Sequence, residues 1–267
     1  MALTHLLILA LIQGVTEFLP ISSSGHLILL PNLTGMADQG QALDVAVHVG
    51  TLLAVILYFW SDVKGVTAGI GRLARGRIDT QGAFWALCLI IATIPVVLVG
   101  LALKLSGLND LLRSTAVIGW TMLLFGLVLY WADQTGPTTK RAENWSLKDA
   151  TIMGLWQALA LIPGTSRSGI TITAGRQLGY DRESAARLSM LMSIPTILAS
   201  GALLSIEVAQ EADMSIVRDA GIAAVFAFLA ALAALKLMFK LLQSVSFTPY
   251  VIYRVILGVI LLVIAYT

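Results

Sequence analysis

The sequence predicts an all-α polytopic integral membrane protein that forms a single membrane domain over residues 1–267. Only 12% of its residues are charged and 58% are hydrophobic, whereas a soluble domain carries roughly 25% charged residues. The mean hydropathy is +0.88, and several apolar runs approach or exceed the ~20 residues that a membrane-spanning helix needs. These runs are continuous and do not alternate, which excludes a transmembrane β-barrel.

Six of the apolar runs are long enough to be full spans. They cover about residues 42–60, 83–105, 112–132, 182–205, 217–241 and 248–266. Two further apolar stretches, about residues 2–30 and 149–178, are broken by Pro20 and Pro163 and by polar runs. Each is predicted to be a re-entrant helical hairpin, because non-helical backbone at membrane depth must line a cavity or be buried in protein.

The two halves of the chain align at an offset of 144 residues, which places Gln13 on Gln157 and Ser22 on Ser166. Each half is a broken hairpin followed by three spans, so repeat 1 covers about residues 1–135 and repeat 2 about 147–267. Because three is odd, the second hairpin must enter from the opposite face. The prediction is an inverted repeat whose two broken helices meet near the midplane.

Lys and Arg collect in loops 61–82 and 133–148, and Lys236 and Lys240 flank loop 242–247. These three loops are therefore predicted to be cytoplasmic. The opposite side includes the acidic segment 207–213. Both termini are then outside, and the first hairpin opens outward. The net charge of +2 is too small to indicate nucleic acid, and the single cysteine, Cys88, excludes an intrachain disulfide.

The second hairpin break, residues 163–171, places Arg167 among hydroxyl residues and glycines between apolar runs. A charged side chain inside the bilayer costs at least ~2.5–3.5 kcal/mol, which an anion would offset. Arg167 can hold two phosphate oxygens, Ser166 and Ser168 add neutral donors, and the helix that restarts near Gly169 offers free N–H groups. The alternative is a structural ion pair between Arg167 and Glu17.

The first hairpin break supplies a carboxylate, hydroxyls and an imidazole. Gln13 and Glu17 are four residues apart and share one helix face. Glu17 is either an interfacial residue near a helix end, or a general acid/base or ligand of a substrate-bound cation. The run after Pro20 is either a turn with capping hydroxyls or a reactive site, in which Ser23 or His26 attacks or else positions an attacking water. The full polar run is Ser22, Ser23, Ser24 and His26.

Two other polar groups lie near the ends of spans. Asp44 and His48 are four residues apart, and a local hydrogen-bonded pair is favoured over a direct role in a site. Arg176, Arg182 and Arg187 are predicted to anchor the second hairpin on the cytoplasmic side.

Residues 13–20, Gln-Gly-Val-Thr-Glu-Phe-Leu-Pro, are followed at residues 22–26 by Ser-Ser-Ser-Gly-His. This stretch resembles the first signature of the undecaprenyl-diphosphate phosphatase (bacitracin-resistance protein) family, (Glu/Gln)-x-x-x-Glu with a downstream Ser/Thr run and Gly-His. Residues 163–171 resemble its second signature, Pro-Gly-x-Ser-Arg-Ser-x-x-Thr. Every specified position matches, and the resemblance covers essentially the whole chain. Many members have Glu where this chain has Gln13, so a second carboxylate is absent here.

The resemblance implies hydrolysis of undecaprenyl diphosphate to undecaprenyl phosphate and inorganic phosphate in the bacterial cytoplasmic (inner) membrane. This reaction recycles the carrier lipid for peptidoglycan synthesis, and abundance of the enzyme confers bacitracin resistance. The catalytic positions would be Glu17, Ser23, His26 and Arg167. The supporting positions would be Gln13, Ser22, Ser24, Gly164, Ser166, Ser168, Gly169 and Thr171.

The resemblance also suggests dependence on Mg²⁺ or Ca²⁺, with Glu17 and the substrate's own phosphates as ligands, and it leaves a homodimer open. The active site would open to the outer face. Two other function classes remain open at this point. One is a transporter or flippase that passes a phosphate-bearing lipid or anion through the same midplane site. The other is a non-catalytic lipid-binding scaffold, which gives no reason to gather Glu17, His26 and Arg167 at the hairpin breaks.

Overall fold

The computed structural model describes residues 3–34, 40–108, 110–208 and 214–267. Within these ranges the chain forms eleven α-helices. They are α1 Leu3–Thr16, α2 Ser23–Thr34, α3 Gln41–Tyr58, α4 Trp60–Leu73, α5 Gln81–Ser106, α6 Thr115–Thr135, α7 Leu147–Ala158, α8 Arg167–Gln177, α9 Arg182–Val208, α10 Met214–Leu242 and α11 Thr248–Tyr266. The acidic segment 207–213, which entered the orientation argument, lies mostly outside the described residues.

The prediction of six full spans is confirmed. Among the described helices, α3, α5, α6, α9, α10 and α11 are long and apolar enough to cross a membrane, and each overlaps one predicted run. Several have ends that the sequence encodes directly. Thr80 caps α5 by accepting from the N–H of Ala83, Ser114 caps α6 by accepting from Val117, and Gly107 ends α5 at a φ of 69°. These are the usual capping devices of helix ends.

The two broken hairpins are the helix pairs α1–α2 and α7–α8. With 14 residues, α1 is about 21 Å long, too short for a hydrocarbon core of about 30 Å. The second helix of each hairpin follows a serine in the left-handed backbone region, Ser22 at φ 74° and Ser166 at φ 70°. This shared geometry agrees with the predicted repeat, while the inversion of one half relative to the other stays a prediction. The structure extends α2 to Thr34, beyond the predicted end of the hairpin at about residue 30.

One predicted loop is a helix. Residues 61–82 were expected to be a polar loop, but α4 covers most of them and packs on α5. The two helices approach so closely that a Cβ on Gly69 would lie 2.3 Å from the carbonyl carbon of Gly82. The basic side chains of α4, including Lys64, are exposed on its other face. A short amphipathic helix of this kind has too few apolar residues to resemble a span, which is why the pattern looked like a loop.

Small residues bring the hairpins close to the long helices. A Cβ on Gly14 of α1 would lie 2.6 Å from the Cβ of Ala230 on α10, and one on Gly154 of α7 would lie 2.6 Å from the carbonyl oxygen of Ala92 on α5. Such close contacts are typical of helix packing in membranes, where van der Waals contact replaces the hydrophobic effect. They fix both hairpins at defined depths in the bundle.

The three arginines predicted to anchor the second hairpin pair with acidic side chains. The Nε atoms of Arg176 and Arg182 lie 3.2 and 2.8 Å from the same carboxylate oxygen of Asp133 on α6. Arg187 makes a two-point contact with Asp62 on α4, at 2.6 and 2.8 Å. Asp133 also accepts the backbone N–H of Phe247, at 3.2 Å. These pairs tie α8 and α9 to α4, α6 and the start of α11.

Candidate active site

Glu17 is the point at which the two hairpins meet. Its Oε1 accepts a hydrogen bond from Nη2 of Arg167, at 2.6 Å, and its Oε2 accepts from Ser23 Oγ at 2.7 Å and from Gln13 Nε2 at 2.9 Å. The Glu17 side chain is buried. Four of the sequence-predicted site residues therefore share one hydrogen-bonded cluster. Three of them come from the first hairpin, and Arg167 comes from the second.

The local fold of each hairpin break explains how Ser23 and Arg167 reach this cluster. Each is the first residue of its helix, and each follows the serine with positive φ. The oxygen of that serine accepts a backbone N–H three residues ahead, from Gly25 in one hairpin and from Gly169 in the other. A non-glycine residue in the left-handed region costs about 1–3 kcal/mol and is characteristic of functional sites. The start of a helix also favours an anion, through its free N–H groups and dipole.

A cavity of about 160 Å³ lies beside Glu17. It is lined by Glu17, Ser23, Ser24, His48, Ala160, Ser166, Arg167, Thr196, Ile197 and Ser200. The Nη1 atom of Arg167 is buried and has no hydrogen-bond partner within the part of the chain that the structure describes. A buried donor without a partner is costly, so this atom indicates an anion as the ligand of the cavity.

His26 does not line this cavity. Its Nδ1 lies 2.6 Å from the carbonyl oxygen of Ser22, and its Nε2 lies 2.5 Å from the hydroxyl oxygen of Tyr253 on α11. Since a carbonyl only accepts, Nδ1 carries a proton and donates it to this bond, while Nε2 is engaged by the tyrosine hydroxyl. The two rings stack, with centroids 5.7 Å apart. Both ring nitrogens of His26 are therefore engaged, whereas Ser23 faces the cavity.

His48 is a site residue that the sequence analysis set aside. Its Nδ1 lies 2.7 Å from the backbone carbonyl oxygen of Asp44, which is the expected local pair. The same contact turns Nε2 toward the cavity, 3.8 Å from Oε2 of Glu17. The i, i+4 spacing to Asp44 predicted the first contact and gave no signal of the second.

Arg254 of α11 is a second residue that the sequence analysis missed. Its side chain is fully buried and donates to the carbonyl oxygens of Pro20, Gly164 and Thr165, at 3.3, 3.1 and 2.9 Å. Further bonds reach Met122 and Thr121 on α6. One arginine thus holds the turns of both hairpins. The available signal was a single charge inside the apolar run 248–266, the same signal that identified Arg167.

The remaining predicted positions support the cluster from behind. Ser168 Oγ donates to the carbonyl oxygen of Leu19 at 2.9 Å, and Thr171 Oγ1 lies 2.6 Å from Ser189 Oγ. Gly164 has a φ of 87°, and a Cβ there would lie 2.2 Å from Thr121 Oγ1; a Cβ on Gly169 would lie 2.7 Å from Arg254 Nη1. These residues make the close approach of the two breaks sterically feasible and do not line the cavity.

The cavity does not contain a preformed metal site. In the described ranges no three His, Cys, Asp or Glu residues gather as ligands for a metal ion. Glu17 is the one carboxylate among the residues that line the cavity, and both its oxygens already accept hydrogen bonds. The donor set fits only a cation that brings most of its oxygen ligands with it.

Comparison with known proteins finds matches over nearly the whole chain. The model of the family described as bacitracin resistance protein BacA matches residues 6–260. The chain is 72% identical to the undecaprenyl-diphosphatase of Dinoroseobacter shibae over 267 residues, with full coverage of both chains. It is also 72% identical, again with full coverage of both, to that of Jannaschia sp., and 44% identical to that of Campylobacter curvus over 98% of each chain.

Proposed function

Because this chain belongs to the bacitracin resistance protein BacA family, we propose that it hydrolyses undecaprenyl diphosphate to undecaprenyl phosphate and inorganic phosphate. The names of its relatives state this activity. The observation that carries the proposal is the junction of Arg167 from one hairpin with Glu17 and Ser23 from the other, beside a cavity of about 160 Å³. In the cell the reaction would recycle the carrier lipid of cell-wall synthesis and confer resistance to bacitracin.

Arg167 and the start of helices α2 and α8 would hold the terminal phosphate of the substrate. Transfer of a phosphoryl group depends mainly on positioning and on neutralising charge. Arg167 Nη1, which has no partner in the described part of the chain, would bind one phosphate oxygen. The phosphate would share the arginine with Glu17, which stays bound to Nη2 at 2.6 Å.

Ser23 is the nucleophile that the geometry favours. Its hydroxyl already donates to Glu17 Oε2 at 2.7 Å, so Glu17 can take the proton as Ser23 Oγ bonds to the terminal phosphorus. The bond from phosphorus to the bridging oxygen breaks, and undecaprenyl phosphate leaves. Water then cleaves the phosphoserine, releasing inorganic phosphate and returning the proton to Ser23. His26 would orient the first turn through Ser22 and Tyr253, as its hydrogen bonds suggest.

A divalent cation, Mg²⁺ or Ca²⁺, would enter with the substrate. Mg²⁺ is often bound by one or two carboxylates together with substrate phosphates, and Glu17 would be the protein's single carboxylate ligand. When bound, the ion would neutralise charge on the diphosphate. We also propose that the protein forms a homodimer in the bacterial inner membrane, with the active site and both termini facing outward.

The test is phosphate release from a polyprenyl diphosphate by purified protein in detergent. We expect Arg167→Ala, Glu17→Ala and Ser23→Ala each to lower kcat by at least about 100-fold, the lower range for loss of an acid–base group. Arg75→Ala and Ser244→Ala, exposed residues outside this cavity, are the matched controls. Near-wild-type activity of Arg167→Ala would refute the proposed phosphate site.

Two further readouts separate the alternatives. The protein is quenched in SDS at neutral pH, which preserves phosphoserine and phosphohistidine alike. Labelled phosphate retained covalently by the protein, and lost in Ser23→Ala but kept in His26→Ala, would identify serine as the nucleophile. Loss of the label only in His26→Ala would assign the attack to histidine. A transporter would move labelled lipid across vesicles without releasing phosphate.

A further inference from the structure

A second polar cavity lies at the end of the bundle where α3 and α10 end and α4 and α9 begin. Its volume is about 530 Å³, within the range of small-molecule sites. It shares no lining residue with the cavity beside Glu17. The neighbouring loop 242–247 was predicted to be cytoplasmic from the distribution of Lys and Arg, so this end of the bundle carries the basic face.

Two lysines supply the charge of this cavity. Lys236 and Lys240 both line it, and their spacing of four residues on α10 places them on one helix face. In the described part of the chain neither takes part in an ion pair, whereas Arg187, the third cation in the lining, is held by Asp62 at 2.6 Å and by Glu143 at 2.8 Å. The lysines are therefore the cations left for a ligand.

The carboxylates of the cavity leave this excess in place. Asp62 is bound at two points by Arg187, at 2.6 and 2.8 Å, and is neutralised by it. Glu183 is the other acidic residue in the lining, and it is exposed. The lining then carries three cations, from two lysines and Arg187, against the carboxylates of Asp62 and Glu183, a net charge that favours an anion. Glu143, which shares Arg187, lies outside the lining.

The uncharged part of the lining fits an amphiphilic anion. Ser61 and Gln243 are exposed at the cavity and supply neutral donors beside the lysines. An aromatic wall completes the lining: the rings of Phe59 and Phe239 meet edge to face with centroids 5.3 Å apart, and Tyr58 packs on both. Basic pockets between membrane helices on the cytoplasmic side commonly bind phosphate-bearing headgroups.

The two cavities are stacked along the same pair of helices. On α3, His48 lines the first and Tyr58 the second, about 15 Å apart at 1.5 Å per residue. On α9, Thr196 and Arg187 are placed in the same way, about 14 Å apart. A separation of this size is half the hydrocarbon thickness of about 30 Å, so one cavity lies deeper and the other at an end.

We propose that this end cavity is a second anion site, which binds a phosphate group through Lys236 and Lys240. The ligand is either the headgroup of a lipid phosphate, whose chain then lies on the aromatic wall, or free inorganic phosphate, which uses the lysines alone. The site is independent of the proposed hydrolysis, because none of its residues touches Glu17, Ser23 or Arg167 in the described contacts.

The test uses the full chain in detergent with Arg167→Ala as background, so that the first cavity is weakened. Geranyl phosphate, inorganic phosphate and geraniol are titrated by calorimetry. We expect geranyl phosphate to bind, and the double variant Lys236→Gln/Lys240→Gln to weaken that binding by about tenfold or more, because hydrogen bonds to charged groups are lost. Lys64→Gln/Arg75→Gln, which removes two charges from the exposed region after α3, is the matched control and should not change it.

The outcomes separate the sources and decide the proposal. Lysine-dependent binding of geranyl phosphate alone assigns a lipid headgroup, and lysine-dependent binding of inorganic phosphate with equal affinity assigns the free ion. If neither ligand binds in a lysine-dependent way, or if the control pair weakens binding as much, the second site does not exist. Gel filtration and thermal unfolding of every variant check that each chain is folded.

Discussion

Glu17→Gln is expected to separate anion binding from turnover. In the structure the Glu17 carboxylate occupies one face of Arg167 at 2.6 Å, where its negative charge opposes an incoming phosphate. Two unit charges about 5 Å apart interact by about 3 kcal/mol at an effective dielectric constant of about 20. The neutral amide removes this repulsion while keeping the shape of the side chain. Where no divalent cation bridges Glu17 to the anion, affinity for phosphate should rise, by up to about 100-fold.

The same change removes the acceptor for the Ser23 proton, so kcat should fall by at least about 100-fold. The assay is hydrolysis of a prenyl diphosphate by purified protein, with inorganic phosphate as the competitive inhibitor. Its inhibition constant should fall as kcat falls. Asp79→Asn is the matched control, since Asp79 is an exposed carboxylate paired with Arg72; both values should stay at the wild-type level.

Two results would refute the reasoning. If phosphate inhibits Glu17→Gln less strongly than it inhibits the wild type even after a chelator has removed divalent cations, Glu17 does not repel the anion. The same result only when the cation is present is what the proposed cation bridge through Glu17 predicts. If kcat is unchanged while the protein is folded, Glu17 does not accept the proton of Ser23. Repeating the measurement with and without a chelator distinguishes the cation-bridged case.

Other substitutions test the parts of the site that surround Glu17. Arg254→Lys should keep a buried cation but lose the bridge between the two hairpin turns. Because one lost charged hydrogen bond is worth about 1.5–3 kcal/mol, kcat in the phosphate-release assay should fall by about tenfold or more. A wild-type kcat would show that other contacts hold the turns. His48→Ala should lower kcat by about 10–100-fold with a smaller change in KM, as expected for a group beside the reacting atoms, and an unchanged kcat would place His48 outside the chemistry. Asp133→Asn should leave the Arg176 charge buried without its partner and destabilise the fold by about 3–5 kcal/mol. Thermal unfolding in detergent would detect this loss as a lower Tm. An unchanged Tm would contradict the anchoring role.

The long apolar runs and the two broken ones were sufficient to predict the spans and hairpins. Each depends on a local property, the length of an apolar segment or the presence of proline and serine within it. The contact between Glu17 and Arg167 could be predicted from the same hairpin breaks, because charged side chains at membrane depth have few other partners. The two predicted roles of Arg167, an ion pair with Glu17 and an anion site, are compatible. Nη2 makes the ion pair, and Nη1 is left to bind an anion.

The contributions of Arg254 and His48 depend on which way a side chain turns within a packed bundle. Arg254 lies 90 residues beyond the Gly164 carbonyl that it binds, and no local pattern links the two. His48 was assigned correctly to Asp44, but only the packing of α3 against the first hairpin turns its second nitrogen toward Glu17. His26 shows the opposite case: a residue inside the motif turns away toward Tyr253, because that hydroxyl and the Ser22 carbonyl satisfy both ring nitrogens.

The network at the base of the second hairpin shows a similar limit. Arg176, Arg182 and Arg187 were predicted as anchors from their position, while their partners Asp133 and Asp62 come from helices far away in sequence. Beside them Tyr180 donates to Asp149 at 2.7 Å, and burial raises the pKa of the Tyr180 hydroxyl, which therefore stays a donor. Partner choice at such distances is a property of the assembled bundle.

The small volume of the cavity beside Glu17 limits how the protein can discriminate between polyprenyl diphosphates of different chain length. About 160 Å³ admits a terminal phosphoryl group but not a long isoprenoid chain, which must stay among the lipids outside. The protein then contacts only the diphosphate and the few atoms of the lipid next to it. Polyprenyl diphosphates of very different length should be handled alike once they are in the bilayer, and preference among them should reflect how readily each partitions into the membrane. The bilayer would then select among isoprenoid tails, and the protein would recognise only the diphosphate headgroup.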